Sequence, residues 1–211
     1  MAALPFASLL LVPALLLGGA STPAPAVAPV PAPAAGSAPV TWNIDVTHSE
    51  LTFRIRHLVS RVNGTFGSWK GTIVADPASL AGGSVNVEIQ TASIDTRNER
   101  RDTHLRSADF FDAPNHPTIT FRSTRVQALR GGALKIHGNL TIRGVTRPVV
   151  LDGRMLEVGG APGRRRIGFE ASTRINRMDY GVSWNRAAEG GGVTLGDDVD
   201  ITIAVEAQEQ A

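Results

Sequence analysis

The chain has 211 residues, of which 42% are hydrophobic, and this is enough to bury the core of one domain. Lysine and arginine number 21 against 19 acidic residues, so the formal net charge is +2. The two signs are interspersed, whereas a nucleic-acid binder concentrates basic side chains in a stripe, so we do not expect nucleic acid as a partner. The chain has no cysteine, which excludes disulfides, thiolate nucleophiles and thiolate-bound metals.

The N-terminal segment has the composition of an export signal. Residues 1–44 contain no Asp, Glu, Lys or Arg, and an apolar run over 8–17 ends at small residues over 18–21. The run is shorter than the roughly 20 residues that a membrane-spanning helix needs. We predict a signal peptide over 1–21, although no basic residue precedes the apolar run. Export would place this cysteine-free protein in the periplasm or outside the cell.

A spacer follows the predicted signal peptide. Residues 22–39 are almost entirely alanine and proline, with six prolines. Proline removes backbone donors and fixes φ, so the segment is predicted to be an extended linker without a core of its own. The folded domain is therefore expected over 40–211.

From Val40 onward, apolar residues recur with a period of two, which is typical of strands with one buried face. Val85, Val87 and Ile89 share one face of such a segment, and glycine-rich turns separate the segments. The pattern predicts about eight strands in an antiparallel sandwich or barrel. The interior of an eight-stranded barrel is either filled by side chains or holds one slender ligand. Periodicity alone favours the filled interior.

One segment departs from the strand pattern. Thr96 and Glu99 have the spacing of a capping box, which predicts a short helix near residues 97–107. The helix carries four arginines, which either flank a barrel mouth and bind a polar or phosphate headgroup or form a solvated face: Arg97, Arg100, Arg101 and Arg106. A second basic run, 164–166, is expected to be solvated or to contact anionic lipid headgroups weakly.

The histidines and hydroxyls do not form a recognisable catalytic or metal motif. The five histidines show no His-x-His or His-x-x-x-His pair and no nearby carboxylate cluster, so we predict no metal site. His57 continues the inward side of its strand and is expected either at a channel end or hydrogen-bonded to a strand terminus. His48 and Ser49 follow Asp45 and are expected to shape the first turn. We predict no catalytic residue, since spacing alone places no triad.

An ordered set of motifs resembles the YceI-like domain family, a lipid-binding and polyisoprenoid-binding family. The motifs span nearly the whole domain: Asp45–Ser49, Gly64–Phe66, Ser93–Thr96, Arg101–Asp112, His116–Pro117, Gly138–Thr146 and Arg177–Gly181. The resemblance implies a lipocalin-like, eight-stranded antiparallel barrel whose apolar tunnel holds a long isoprenoid chain. It implies no catalytic residue and no cofactor besides a bound lipid, and it allows a homodimer.

The residues that line the tunnel are predicted from two sources: the alternation that puts every second residue of a strand on the inner face, and the resemblance to the family. They are Leu51, Phe53, Ile55, His57, Val85, Val87, Ile89, Ile119, Phe121, Leu140, Ile142, Phe169, Ile201 and Ile203. The function expected from them is an exported, non-enzymatic binder or carrier of a polyisoprenoid or similar long-chain lipid. Two alternatives stay open at this point: a hydrolase of an apolar substrate, and a stress-related structural barrel with a filled core.

Overall fold

A computed structural model describes residues 38–77, 79–187 and 191–210. The predicted signal peptide and nearly all of the predicted linker lie outside the described residues, so both stay predictions. Within the part of the chain that the structure describes, no helix has the length and apolar character needed to cross a membrane.

The described chain is mostly strand, with one short α-helix. The strands, in chain order, are β1 Val40–Ile44, β2 Glu50–His57, β3 Ser60–Phe66, β4 Trp69–Asp76, β5 Ser79–Gln90, β6 Ile94–Asp95, β7 Thr118–Ala128, β8 Ala133–Ile142, β9 Val145–Gly159, β10 Arg166–Asn176 and β11 Leu195–Glu209. The helix α1 spans Glu99–Arg106, between β6 and β7. The all-β prediction is confirmed.

The strands form a closed antiparallel barrel. The order β1-β4-β5-β7-β8-β9-β10-β11 returns to its start because β1 pairs with both β4 and β11. The number of closing strands agrees with the predicted eight-stranded barrel, although β1 was not among the predicted strands, and closure pairs both edges of each of these strands. β1 and β2 share one neighbour, since β1 pairs with the end of β11 and β2 with its beginning. β3 and β6 continue the sheet beside β2.

The break between β1 and β2 has a local cause in the sequence. Asp45 caps a single 3-10 turn, Val46–His48, by accepting a hydrogen bond from the Thr47 amide at 3.0 Å. The Ser49 hydroxyl then donates to the Asp45 carbonyl at 2.7 Å. This turn redirects the chain, so the two strands lie along different parts of β11.

The helix begins two residues later than the Thr96 spacing predicts, and the capping-box prediction is wrong. Arg97 has a φ of 60°, which is incompatible with a right-handed helix, and Asn98 is the N-cap, accepting from the Arg101 amide at 3.0 Å. The Thr96 amide and hydroxyl instead both donate to the buried Asp102 carboxylate. Thr96 therefore attaches the helix to the barrel rather than starting it.

The barrel has two distinct ends. The end at which β1 begins and β11 ends, which we call the termini end, contains three fully buried side chains that pack together, namely Trp42, Ile167 and Ala207. The opposite end, which we call the loop end, carries the β2–β3 turn, α1 and the segment between β10 and β11. Strands therefore run from a packed layer at the termini end to a loop end built from longer connections.

Candidate ligand cavity

The barrel encloses a cavity of about 740 Å³. This is within the usual range of about 300–1,000 Å³ for small-molecule sites. Inward-facing side chains from every strand except β6 form its wall, and most of them are aliphatic or aromatic groups. The interior is hollow, so the expectation from periodicity alone, a filled core, is wrong.

All fourteen sequence-predicted residues lie on the wall of this cavity. Six are buried: Leu51, Ile89, Ile119, Phe121, Leu140 and Ile142. Eight are only half-buried: Phe53, Ile55, His57, Val85, Val87, Phe169, Ile201 and Ile203. Inward side chains of a filled barrel would be fully buried, so the remaining exposed area of these eight faces the cavity. Their contact with a ligand stays a prediction.

Two glycines explain how a barrel with inward phenylalanines stays hollow. Phe53 lies directly opposite Gly64 on β3, and a Cβ built on Gly64 would be 2.3 Å from Phe53 Cζ. A Cβ on Gly138 would be 2.4 Å from Phe121 Cζ. Both rings therefore lie against a neighbouring glycine, in space that the Cβ of any other residue would fill. As a result, the rings coat the wall instead of crossing the cavity.

The cavity reaches the surface at the loop end. Three exposed residues belong to its wall there: Asn98, the N-cap of α1, Arg100 of α1, and Arg186 of the β10–β11 connection. We call this opening the mouth. Among the described residues, the side chains of Arg100 and Arg186 have no hydrogen-bond or ion-pair partner. The mouth therefore combines an apolar interior with unpaired positive charge at its rim.

The other arginines of α1 hold the loop end together. Arg101 donates to the hydroxyl and carbonyl oxygens of Thr96 at 2.6 and 2.8 Å. Arg106 donates to the Ala92 and Ile94 carbonyls at 2.9 and 3.1 Å and pairs with Glu99. The sequence suggested that the four arginines near α1 either bind a ligand headgroup or form a solvated face. After these contacts, only Arg100 and the exposed Arg97 are free to bind a headgroup.

A buried arginine anchors the β10–β11 connection. Arg177 is 5% exposed, and its guanidinium donates to the carbonyls of Gly196, Val182 and Trp184. Burial lowers its pKa, and Asp197 at 3.6 Å partly offsets this. Burial likewise raises the pKa of nearby Tyr180 to about 12, so its hydroxyl stays neutral at physiological pH. Both line the cavity, and sequence reasoning assigned neither to the wall.

An aromatic cluster beside the mouth was also missed. His104 Nε2 is hydrogen-bonded to the Asp109 carboxylate at 2.8 Å. The His104 ring packs edge-on against the rings of Phe110 and Trp184, at centroid distances of 5.0 and 4.9 Å. These residues lie outside the regular strands, so alternation carries no signal for them. Several strand residues of the wall that the prediction left out, including Val62, Ile136 and Ile175, do have a strand parity that could have placed them there.

The prediction that no carboxylates cluster near a histidine is wrong. Asp45, His48 and Glu206 bring ligand atoms within 4.8 Å of one another on the outside of the barrel. Glu206 arrives through the pairing of β11 with β1, which linear spacing does not reveal. The Arg166 guanidinium contacts both carboxylates, and hydrogen bonding to His48 lowers the pKa of Asp45. The Arg166 cation therefore offsets part of the negative charge of this cluster within the protein.

The fold and the cavity together define a class: closed antiparallel barrels that enclose an apolar space of ligand size. The chain belongs to the YceI-like domain family, whose model matches residues 42–207. It is 39% identical over 165 residues to the protein YceI of Escherichia coli O157:H7, covering 77% of this chain and 83% of the relative.

Two solved structures are similar in fold. The YCEI protein of Campylobacter jejuni superposes with a TM-score of 0.65 at 36% identity, over 74% of this chain and 90% of that one. A polyisoprenoid-binding domain from Saccharophagus degradans superposes with a TM-score of 0.59 at 17% identity, over 81% and 99%. The latter likeness concerns the fold alone.

Proposed function

We propose that this protein is a non-enzymatic binder that sequesters a polyisoprenoid, or a similarly elongated lipid, inside the barrel. The observation that carries the proposal is the hollow apolar cavity of about 740 Å³, whose wall includes eight half-buried inward side chains. Family membership and the described ligand of the Saccharophagus degradans domain support the same ligand class. The apolar leader of the sequence supports export to the periplasm or the exterior.

The driving force would be transfer of the chain out of water. Each buried methylene-sized group contributes about 0.8 kcal/mol, so ten such groups supply about 8 kcal/mol before the cost of ordering the chain. Selectivity would come from the width and length of the cavity, since its middle offers few hydrogen-bonding groups. A polar headgroup would lie at the mouth, near Arg100 and Arg186.

A binding role agrees better with the polar wall residues than hydrolysis does. Arg177 is hydrogen-bonded to backbone carbonyls, Arg101 to Thr96, and His104 to Asp109. These groups stabilise loops, and a hydrolase needs a nucleophile and a base that converge on the substrate.

The experiment is uptake of a fluorescent prenyl alcohol by the purified protein, measured by titration. Wild type should bind, and Phe121→Asp should abolish uptake because an unpaired carboxylate would replace a ring that is 6% exposed on the wall. Thr124→Asp places the same charge at an exposed position of the same strand and should bind like wild type. Uptake by a folded Phe121→Asp variant would contradict the proposal.

A further inference from the structure

The β2–β3 turn presents apolar side chains to solvent at the loop end. Leu58 and Val59 form the turn, and their residues are 45% and 105% exposed. The Leu58 amide donates to the Thr194 carbonyl at 2.8 Å, which places Val193, 45% exposed, beside them. We call Leu58, Val59 and Val193 the apolar tip. A fully exposed valine at a turn contributes nothing to the core.

The turn also has an unfavourable residue for its geometry. Leu58 has a φ of 50°, a conformation that two-residue hairpin turns usually assign to glycine, asparagine or aspartate. A bulky side chain at such a φ costs stability. Folding alone therefore does not account for leucine at this position, since a small polar residue would suit both the backbone and the solvent.

Unpaired arginines surround the apolar tip. Arg56 and Arg61 are directly opposite each other on β2 and β3, and both are exposed. Like charges in this arrangement repel. The Arg56 guanidinium donates to the Leu58 carbonyl at 3.3 Å, while the side chains of Arg61 and Arg186 have no hydrogen-bond or ion-pair partner among the described residues. Arg186 is adjacent, since its carbonyl accepts from the Thr194 amide at 2.9 Å. An external anionic surface would neutralise all three.

The apolar tip borders the mouth of the cavity. His57 and Thr194, which neighbour the tip in the chain, both belong to the cavity wall. In the other basic run considered from the sequence, 164–166, two of the three arginines already have carboxylate partners. Arg165 pairs with Glu209 at 2.6 Å, and Arg166 pairs with Glu206 and Asp45 at the termini end of the barrel.

We propose that the apolar tip and the arginines Arg56, Arg61 and Arg186 dock the barrel, mouth first, on an anionic lipid bilayer. Leu58 and Val59 insert among the acyl chains, and the arginines contact the headgroups. The lipid would then pass between bilayer and cavity without crossing water. The inference rests on the proposed function, because it supplies the route by which the cavity is filled and emptied.

The test is flotation of the protein with vesicles of phosphatidylcholine, with and without 30% phosphatidylglycerol. Binding should require the anionic lipid and weaken with salt. Val59→Ser should weaken it at least tenfold, and Arg56→Gln with Arg61→Gln by about fivefold for each arginine. Leu129→Ser and Arg130→Gln are the matched controls, since Leu129 is 50% exposed in the β7–β8 turn at the opposite end. They should bind like wild type.

Three results would overturn the inference. The first is equal flotation of wild type and the tip variants, and the second is equal loss in the controls. The third is a dimer in solution that Val59→Ser dissociates without any change in flotation, which would make the tip a contact between copies. Uptake of the prenyl alcohol in vesicle-free solution is measured in parallel. Uptake without flotation contradicts docking alone, whereas flotation without uptake contradicts the proposed function.

Discussion

The substitution Gly64→Ala tests how the barrel stays hollow. The new Cβ would lie 2.3 and 2.7 Å from Cζ and Cε1 of Phe53 and 2.9 Å from Cγ2 of Thr96. Contacts under 3.0 Å do not persist, and the Phe53 ring is the group that can move. The half-buried ring faces the cavity, so rotation about its side-chain torsions takes it inward.

The size of the Phe53 ring determines how much ligand affinity and stability the Gly64→Ala variant should lose. If the ring stays in place, overpacking lowers the unfolding free energy by about 1–3 kcal/mol. If it rotates inward, it displaces roughly one isoprene unit of ligand, or five carbons. At about 0.8 kcal/mol for each, uptake weakens by up to about 4 kcal/mol, nearly three orders of magnitude in Kd. We expect Gly64→Ala mainly to raise the Kd for the ligand and to lower the unfolding free energy to a smaller extent.

The assay combines prenyl alcohol titration with thermal unfolding. Gly159→Ala is the matched control, because no atom lies within 4 Å of the added Cβ, and it should leave Kd unchanged. Phe53→Leu should restore uptake in the Gly64→Ala background, since the shorter side chain leaves room for both, and the two substitutions should therefore be non-additive. A folded Gly64→Ala variant with wild-type Kd, or a loss that Phe53→Leu does not relieve, would refute the reasoning.

Two further predictions concern stability. Hydrogen bonds from Arg165 and from the Gly163 and Arg165 amides lower the pKa of Glu209 from 4.5 to about 2. The ionised Glu209 carboxylate therefore stabilises the fold fully above pH 4.5, and this contribution is lost as the pH falls toward 2. Tm should fall over this pH range, and Glu209→Gln should make Tm depend less on pH. If the variant and wild type showed the same dependence of Tm on pH, the stabilising role of Glu209 would be contradicted. Arg177→Ala leaves the carbonyls of Gly196, Val182 and Trp184 without their donor and should lower the unfolding free energy by about 3 kcal/mol in urea titrations, whereas a loss below about 1 kcal/mol would show that the loops do not depend on it.

Strand faces could be predicted from the sequence because a strand's side-chain period is fixed at two. Val85, Val87 and Ile89 needed no tertiary information to be placed on one side, and all three lie on the cavity wall. Whether that side meets other side chains or empty space could not be predicted in this way. It depends on cross-strand register, which sets Phe53 over Gly64 and Phe121 close to Gly138.

Features that combine residues from distant parts of the chain could not be predicted from the sequence for a related reason. Glu206 joins Asp45 and His48 only because β11 and β1 close the barrel. The start of the helix was predicted wrongly for a local reason: Thr96 and Asn98 are both good N-cap residues, and either could begin the helix. The buried Asp102 carboxylate binds Thr96 and leaves Asn98 as the cap, and sequence spacing does not rank such alternatives.

The central claim is that the barrel interior is occupied by an apolar chain in the cell. Native mass spectrometry of the full chain, purified without detergent, measures this directly. We predict a complex heavier than the protein by one lipid, which extraction into organic solvent releases as a molecule with a five-carbon repeat. A protein mass without any adduct in every preparation, together with no uptake of added prenyl chains, would contradict the account.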